Sequence, residues 1–377
     1  ARQILGQAVM VAAAVAALLT VPVLLTPQLL SLLDVDSEMA AGAATYVRWR
    51  APSLCPVLIF LVMRGYLQAA SRTAGVAWAV LAANVINALG DTALIFGTAA
   101  LPRGWGPLSR IPAMGVAGAA LATTLAAMVL TGWAAFAVRR VPRPVSATPR
   151  SLPRLDLGVM AVALKVGVPI GFHFTADFGA FGLAGLMAGK LGPASAAANH
   201  VAVTFCGLAY QMAMGLGNAG SVRVGRAVGA GDAVGARRAG WVALGAGTGL
   251  MSASALIYFF APRQMAALIS REPEVLALAV PLLGVAALFQ VGDGLQAVGG
   301  GVLRGTGSTR FTFAANLVGH YGIGLPAAVL FGLWMGQGIV GIWWGLSLGL
   351  SAGAAALIWR FVRLGRGPVS PLVAGAP

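Results

Sequence analysis

Long apolar stretches broken by short polar punctuation dominate this sequence, and they recur at the length of a membrane-crossing helix. Ten such segments are predicted, at 8–32, 51–70, 77–98, 113–137, 158–188, 196–221, 239–261, 277–303, 311–333 and 338–361. No series of ten-residue alternating strands is present, so a membrane barrel is not the reading. The predicted class is an all-α polytopic membrane protein. The first stretch is too long for the apolar core of a signal peptide, and no convincing cleavage site follows it.

The longest interruption, Val138 to Asp156, reads VRRVPRPVSATPRSLPRLD, with five arginines and four prolines. Proline at that density gives an extended linker rather than an element. The sequence before it resembles the sequence after it. TPQLLSLLDVDSEM at 26–39 parallels APRQMAALISREPEV at 261–275, and Gly115-Val116-Ala117-Gly118 parallels Gly338-Ile339-Val340-Gly341. The chain therefore reads as an internal duplication, a two-lobe helical bundle. Its predicted parts are an N-lobe of four helices at 1–137, a basic linker at 138–157, a C-lobe of six helices at 158–366 and a tail at 367–377. In this alignment the first copy lacks about eighty residues of its counterpart, so a fragment or processed start is expected.

Composition agrees: 59% of residues are hydrophobic and 9% charged, well outside soluble norms. The net charge of +15 invites a nucleic-acid reading until its distribution is examined. Sorted by alternate loops, 17 of the 25 lysines and arginines fall on one side and 7 on the other, with Lys165 near the start of a span. The positive-inside rule then puts the linker and the C-terminus in the cytoplasm of a multi-pass inner-membrane protein, and the basic surplus is topology. Cys55 and Cys206 lie in apolar segments and imply no disulfide framework.

Seven of the ten acidic residues fall in predicted loops; Asp91, Asp177 and Asp293 fall near the middle of spans. An ionisable group at that depth costs about 2.5–3.5 kcal/mol on insertion scales and marks an ion or substrate path. Each has a polar companion on a shared helical face: Asn87 four residues before Asp91, His173 four before Asp177, and Gln290 and Gln296 three to either side of Asp293. The competing reading is interhelical packing glue, worth about 0.6 kcal/mol per hydrogen bond. His200 and His320 read as partnered core histidines with no metal-ligand spacing. Trp343-Trp344 reads equally as an interfacial anchor or a ligand platform, and Pro169 and Pro326 as points where a helix bends.

Several stretches together resemble a known family. They are VGVPIGFHFTADFGAF at 166–181, GLGNAGSVRVGRAVGAGD at 215–232, LFQVGDGLQAVGGGVLRGTGSTR at 288–310, and YLQAASRT at 66–73 followed by NVINALGDTALIFG at 84–97. These resemble the multidrug and toxic compound extrusion transporters, of NorM and DinF type. The resemblance implies twelve helices in two lobes of six, of which about ten would be present here. It implies that Asp177 replaces the usual seventh-helix Glu and that Asp293 matches the tenth-helix Asp. It further implies that Asn87 and Asp91 belong to an N-lobe cation site, with Thr123 as a hydroxyl partner; the first-helix Asp of that site has no counterpart.

The function implied is export of small organic, cationic compounds by antiport with Na+ or H+. The two lobes would alternate access, and Asp177, Asp293, Asp91, Asn87, Thr123, Gln290 and His173 would bind ion or substrate. Proton uptake at Asp177 or Asp293 would neutralise the site and release a cation, whereas sodium would use the same carboxylates with further oxygens converging on it. No cofactor beyond the coupling ion, no ATP and no nucleic acid are expected, and the chain is expected to act as a monomer in the bilayer. Two alternatives stand beside this: a lipid-linked precursor flippase of the same superfamily, and an intramembrane enzyme. The enzyme lacks any paired-acid diphosphate, HExxH or phosphate-loop motif to support it.

Overall fold

The structure, a computed structural model, describes residues 2–28, 37–97, 112–141 and 156–364. Most of the predicted linker, 142–155, and the predicted tail lie outside the described residues. Among those described there is helix and turn and no strand. The chain divides into two compact units, 1–163 and 164–377.

The first unit contains α1 (Arg2–Leu24), α2 (Ser37–Arg50), α3 (Leu54–Ala69), α4 (Thr73–Phe96) and α5 (Val116–Arg139). α5 is its centre, packing against α2, α3 and α4, while α1 lies on α3. Small residues make this possible: Gly118 on α5 meets the backbone of Leu94 on α4, and Gly90 meets Ala122. With so few bulky groups at the contact, backbones approach closely and dispersion replaces the hydrophobic drive that lipid cannot supply. The second predicted span begins earlier than expected. A single stretch from Ala40 to Ala69 is long and apolar enough to cross a membrane, with Pro52 tightening the backbone into a 3-10 turn at Ala51–Ser53.

The second unit contains α6 (Leu157–Lys190), whose start precedes the unit boundary, then α7 (Pro193–Gly229), α8 (Ala233–Phe260), α9 (Pro262–Ala267) and α10 (Pro273–Gly305). It continues with α11 (Thr309–Leu317), α12 (Leu325–Val329) and α13 (Gly338–Leu364). α10 is buried along most of its length and packs against α7, α8 and α13. Its seam with α7 is glycine on glycine: a Cβ on Gly301 would run into Gly217, and one on Gly305 into the carbonyl of Ser221. The GAGD turn closes α7 and opens α8. Gly231 adopts a left-handed φ of 72°, which a side chain would resist, and Asp232 Oδ1 then accepts from the Gly235 N–H at 2.7 Å as the N-cap of α8.

Nine helices among the described residues have the length and apolar composition to cross a membrane. The predicted span at 196–221 is not among them. It is nevertheless one continuous helix, α7, in which Asn199, His200, Thr204, Gln211 and Asn218 interrupt the apolar run. The two prolines differ in outcome. Pro169 sits within an unbroken α6, but Pro326 lies in α12 between two π-helical stretches, Val318–Gly324 and Leu330–Trp334. Trp343 is neither an interfacial anchor nor a platform: it is wholly buried and donates from Nε1 to Asn199 Oδ1 at 3.0 Å. His200, expected in the core, is exposed, and of the two cysteines only Cys206 is buried.

Candidate functional site

Two carboxylates, Asp177 on α6 and Asp293 on α10, are almost fully buried, at 5% and 4% exposure. Burial at span depth is costly for a carboxylate without partners, so its donors are the first question. Asp177 has two. Tyr210 on α7 donates its hydroxyl to Oδ2 at 2.7 Å, and His320 in the first π-helical stretch places Nε2 2.8 Å from Oδ1. Both oxygens of Asp177 are thereby engaged, by side chains from two other helices.

The π-helical turn matters to this geometry. Inserting a wider turn rotates the residues within it relative to an α-helical register, a device found often at functional sites. Gly319 and Gly324 bring that stretch against Gly349 of α13, so the segment seats closely and His320 is 1% exposed. The same His320 nitrogen also lies 3.1 Å from Gln296 Nε2 on α10.

Asp293 lies within electrostatic reach of Asp177, and also of Tyr210, Tyr258 and Cys206. His173, one turn before Asp177, is buried and lies within electrostatic reach of Asp177, His320 and Arg304, and its Nδ1 has no hydrogen-bond partner. Gln290 is fully buried, its amide nitrogen 3.9 Å from the Met251 sulfur and its Oε1 unpartnered. Arg304 lies in the last turn of α10; its guanidinium is 5.6 Å from the centre of the Phe174 ring, with one amino group buried and unpartnered.

In the first unit the polar residues also meet in part. Asn87 Nδ2 on α4 donates to Thr123 Oγ1 on α5 at 3.4 Å, and Thr123 donates to its own helix at the Ala119 carbonyl at 2.9 Å. Asp91, one turn along α4, has a buried Oδ1 with no hydrogen-bond partner. No group of three or more His, Cys, Asp or Glu side chains that would hold a metal ion occurs among the described residues.

Of the residues the sequence singles out, Asp177, Asp293 and His173 lie in one buried polar group, which two further side chains, Tyr210 and His320, complete. Tyr210 carried no signal of its own, since a tyrosine in an apolar helix is unremarkable until its hydroxyl is seen to meet an acid. The sequence marks His320 as a partnered core histidine, and its partner is the Asp177 carboxylate.

The described helices have the length and hydropathy of a multi-pass membrane protein, and an acid buried in one of them and held by donors from two others is the kind of group that marks an ion or substrate path. The MatE family model matches residues 1–92 and 169–330. A probable multidrug resistance protein NorM of Rhizobium meliloti (strain 1021) is 33% identical over 361 residues, covering 92% of this chain and 73% of the relative. A second, from Burkholderia pseudomallei (strain K96243), is 36% identical over 328 residues, covering 85% and 66%. Among solved structures, the eukaryotic MATE transporter AtDTX14 superposes with a TM-score of 0.82 at 22% identity, over 97% of this chain and 80% of that one. A MOP superfamily transporter of Pyrococcus furiosus, described as having a binding pocket of reversed polarity that suggests a different function, gives a TM-score of 0.74 at 18% identity, over 96% and 78%. The chain belongs to the MatE family.

Proposed function

We propose that the chain exports small organic cations by antiport with Na+ or H+, through alternating access between an N-lobe at 1–137 and a C-lobe at 158–366. The observation that carries this reading is the buried pair Asp177 and Asp293 on two helices of one unit, close enough to influence each other. Two like charges so placed are mutually unfavourable. The pair is therefore receptive to one compensating positive charge, and an organic cation and a coupling ion compete for the same vacancy. His173 and Gln290 line the polar surroundings of that pair. Asn87, Thr123 and Asp91 form a second, smaller polar group in the N-lobe that supports a cation contact there. Transport needs no bond making, no cofactor and no ATP, and a monomer suffices.

Arg304 and the two histidines give the alternative flippase reading its one foothold, since a cationic group beside the acids would suit an anionic headgroup. Export of an organic cation distinguishes the two readings. With the chain in vesicles, ethidium efflux driven by an imposed proton or sodium gradient is expected; transport of lipid-linked anions without ethidium export would favour the flippase.

A further inference from the structure

A single nitrogen, His320 Nε2, has two suitors on two different helices. Asp177 Oδ1 lies at 2.8 Å and Gln296 Nε2 at 3.1 Å. A neutral imidazole carries one proton on one ring nitrogen. When Nε2–H is given to the carboxylate, the Gln296 amide nitrogen faces another N–H, and Gln296 Oε1 is left buried with no hydrogen-bond partner. Turning the Gln296 amide removes both faults by presenting Oε1 to Nε2–H, and His320 then has a second acceptor to which it can pass from Asp177. No proton changes residue in that exchange. The charge on Asp177 is what holds the unrelieved arrangement in place, because a hydrogen bond to an ionised acceptor is the stronger one.

We propose that His320 is a positioning residue that senses the charge state of Asp177, held by the carboxylate while it is vacant and handed to Gln296 when a cation occupies it. This rests on the export reading given above, and extends it by naming the side chain that reports occupancy to the helix. The report has a mechanical outlet. His320 belongs to the π-helical stretch that, with Pro326 and the second π-helical stretch, makes 318–334 irregular. That segment seats on α13 through Gly319, Gly324, Gly345 and Gly349, where few side chains interlock to resist a shift of register. One turn before His320, both amide atoms of Asn316 are also buried and unpartnered, so a second polar group at the head of the segment awaits a rearrangement. His320 faces Asp177 and His173 on α6, Asp177 in turn interacts with Tyr210 on α7 and Asp293 on α10, and Tyr321 follows His320 on its own stretch; α11, between Thr312 and Asn316, and α13, between Gly345 and Gly353, carry no titratable residue.

The test is one of sign. In Gln296→Leu the histidine has nowhere to go, so ethidium must compete with it for Asp177 and its Kd should rise about tenfold. In His320→Phe, which keeps the ring and removes the competing donor, ethidium should bind at least as tightly as to wild type. A purely structural role predicts that both variants weaken binding; weakening by both, or an unchanged Kd in Gln296→Leu, in folded protein would overturn the proposal. A second measurement needs neither those variants nor a transported substrate: nitrogen NMR of His320 in the full chain, wild type against Asp177→Asn. The expected result is an Nε2–H signal that moves when the charge is removed while the ring stays in the same tautomer. An unmoved signal would overturn the latch, and absence of ethidium export with a signal that moves would sink the export reading alone.

Discussion

At the scale of single residues, the site is an acid whose two oxygens are held by donors from different helices. Tyr210→Phe removes one donor and leaves Asp177 Oδ2 buried without it. Hydrogen bonds to charged groups contribute about 1.5–3 kcal/mol, so a lowered melting temperature of the purified protein is expected while helix content by circular dichroism is retained. A variant as stable as wild type would mean that the Tyr210 hydroxyl does not carry that contact. The acids were legible in the sequence because a carboxylate in a run of alanine, valine and leucine is expensive and conspicuous. Their partners were not, because a tyrosine or a lone histidine in an apolar helix is tolerated for many reasons, and only the fold decides what it touches. The reach from Asp177 to His320 crosses 143 residues of chain, and no helical spacing encodes it.

Among elements, the seam between α7 and α10 is the most exacting contact. Gly301 and Gly217 lie backbone to backbone, and overpacking a close contact costs about 1–3 kcal/mol even where side chains can adjust; backbones adjust less. Gly301→Val should therefore lower the yield of folded protein and its melting temperature more than Gly284→Val on the same helix, since Gly284 has open space at its Cβ position. Equal losses from the two variants, read by size-exclusion profile and thermal melt, would contradict the seam. Helix existence was written plainly in apolar run length, whereas internal geometry was not. Pro169 and Pro326 look alike in sequence, yet only Pro326 lies in an irregular stretch, where glycines at 319, 322 and 324 remove the side chains that would hold the α-helical register. α7 shows the converse: its polar residues weaken the apolar signal, and those same positions supply packing contacts such as Asn199 to Trp343.

For the whole molecule, topology and charge make the remaining predictions. With 17 basic residues on one set of alternate loops and 7 on the other, the linker and the C-terminus should be cytoplasmic. Cysteines placed at Ser146 and Ala374 in a background lacking Cys55 and Cys206 should resist an impermeant thiol reagent in intact cells and react once the membrane is opened; labelling before opening would invert the topology. In the proposed exchange it is the charge of the buried acids, and not merely their hydrogen bonding, that binds ion and substrate. Asn in place of Asp keeps volume and polar contacts while removing charge, so Asp177→Asn and Asp293→Asn separate the two. The decisive measurement is gradient-driven ethidium efflux from vesicles containing each variant and the double variant, with melting temperature recorded on the same preparations. Folded protein with efflux reduced at least tenfold is expected for each; near-normal, gradient-driven efflux from the double variant would show that charge is not what exchanges.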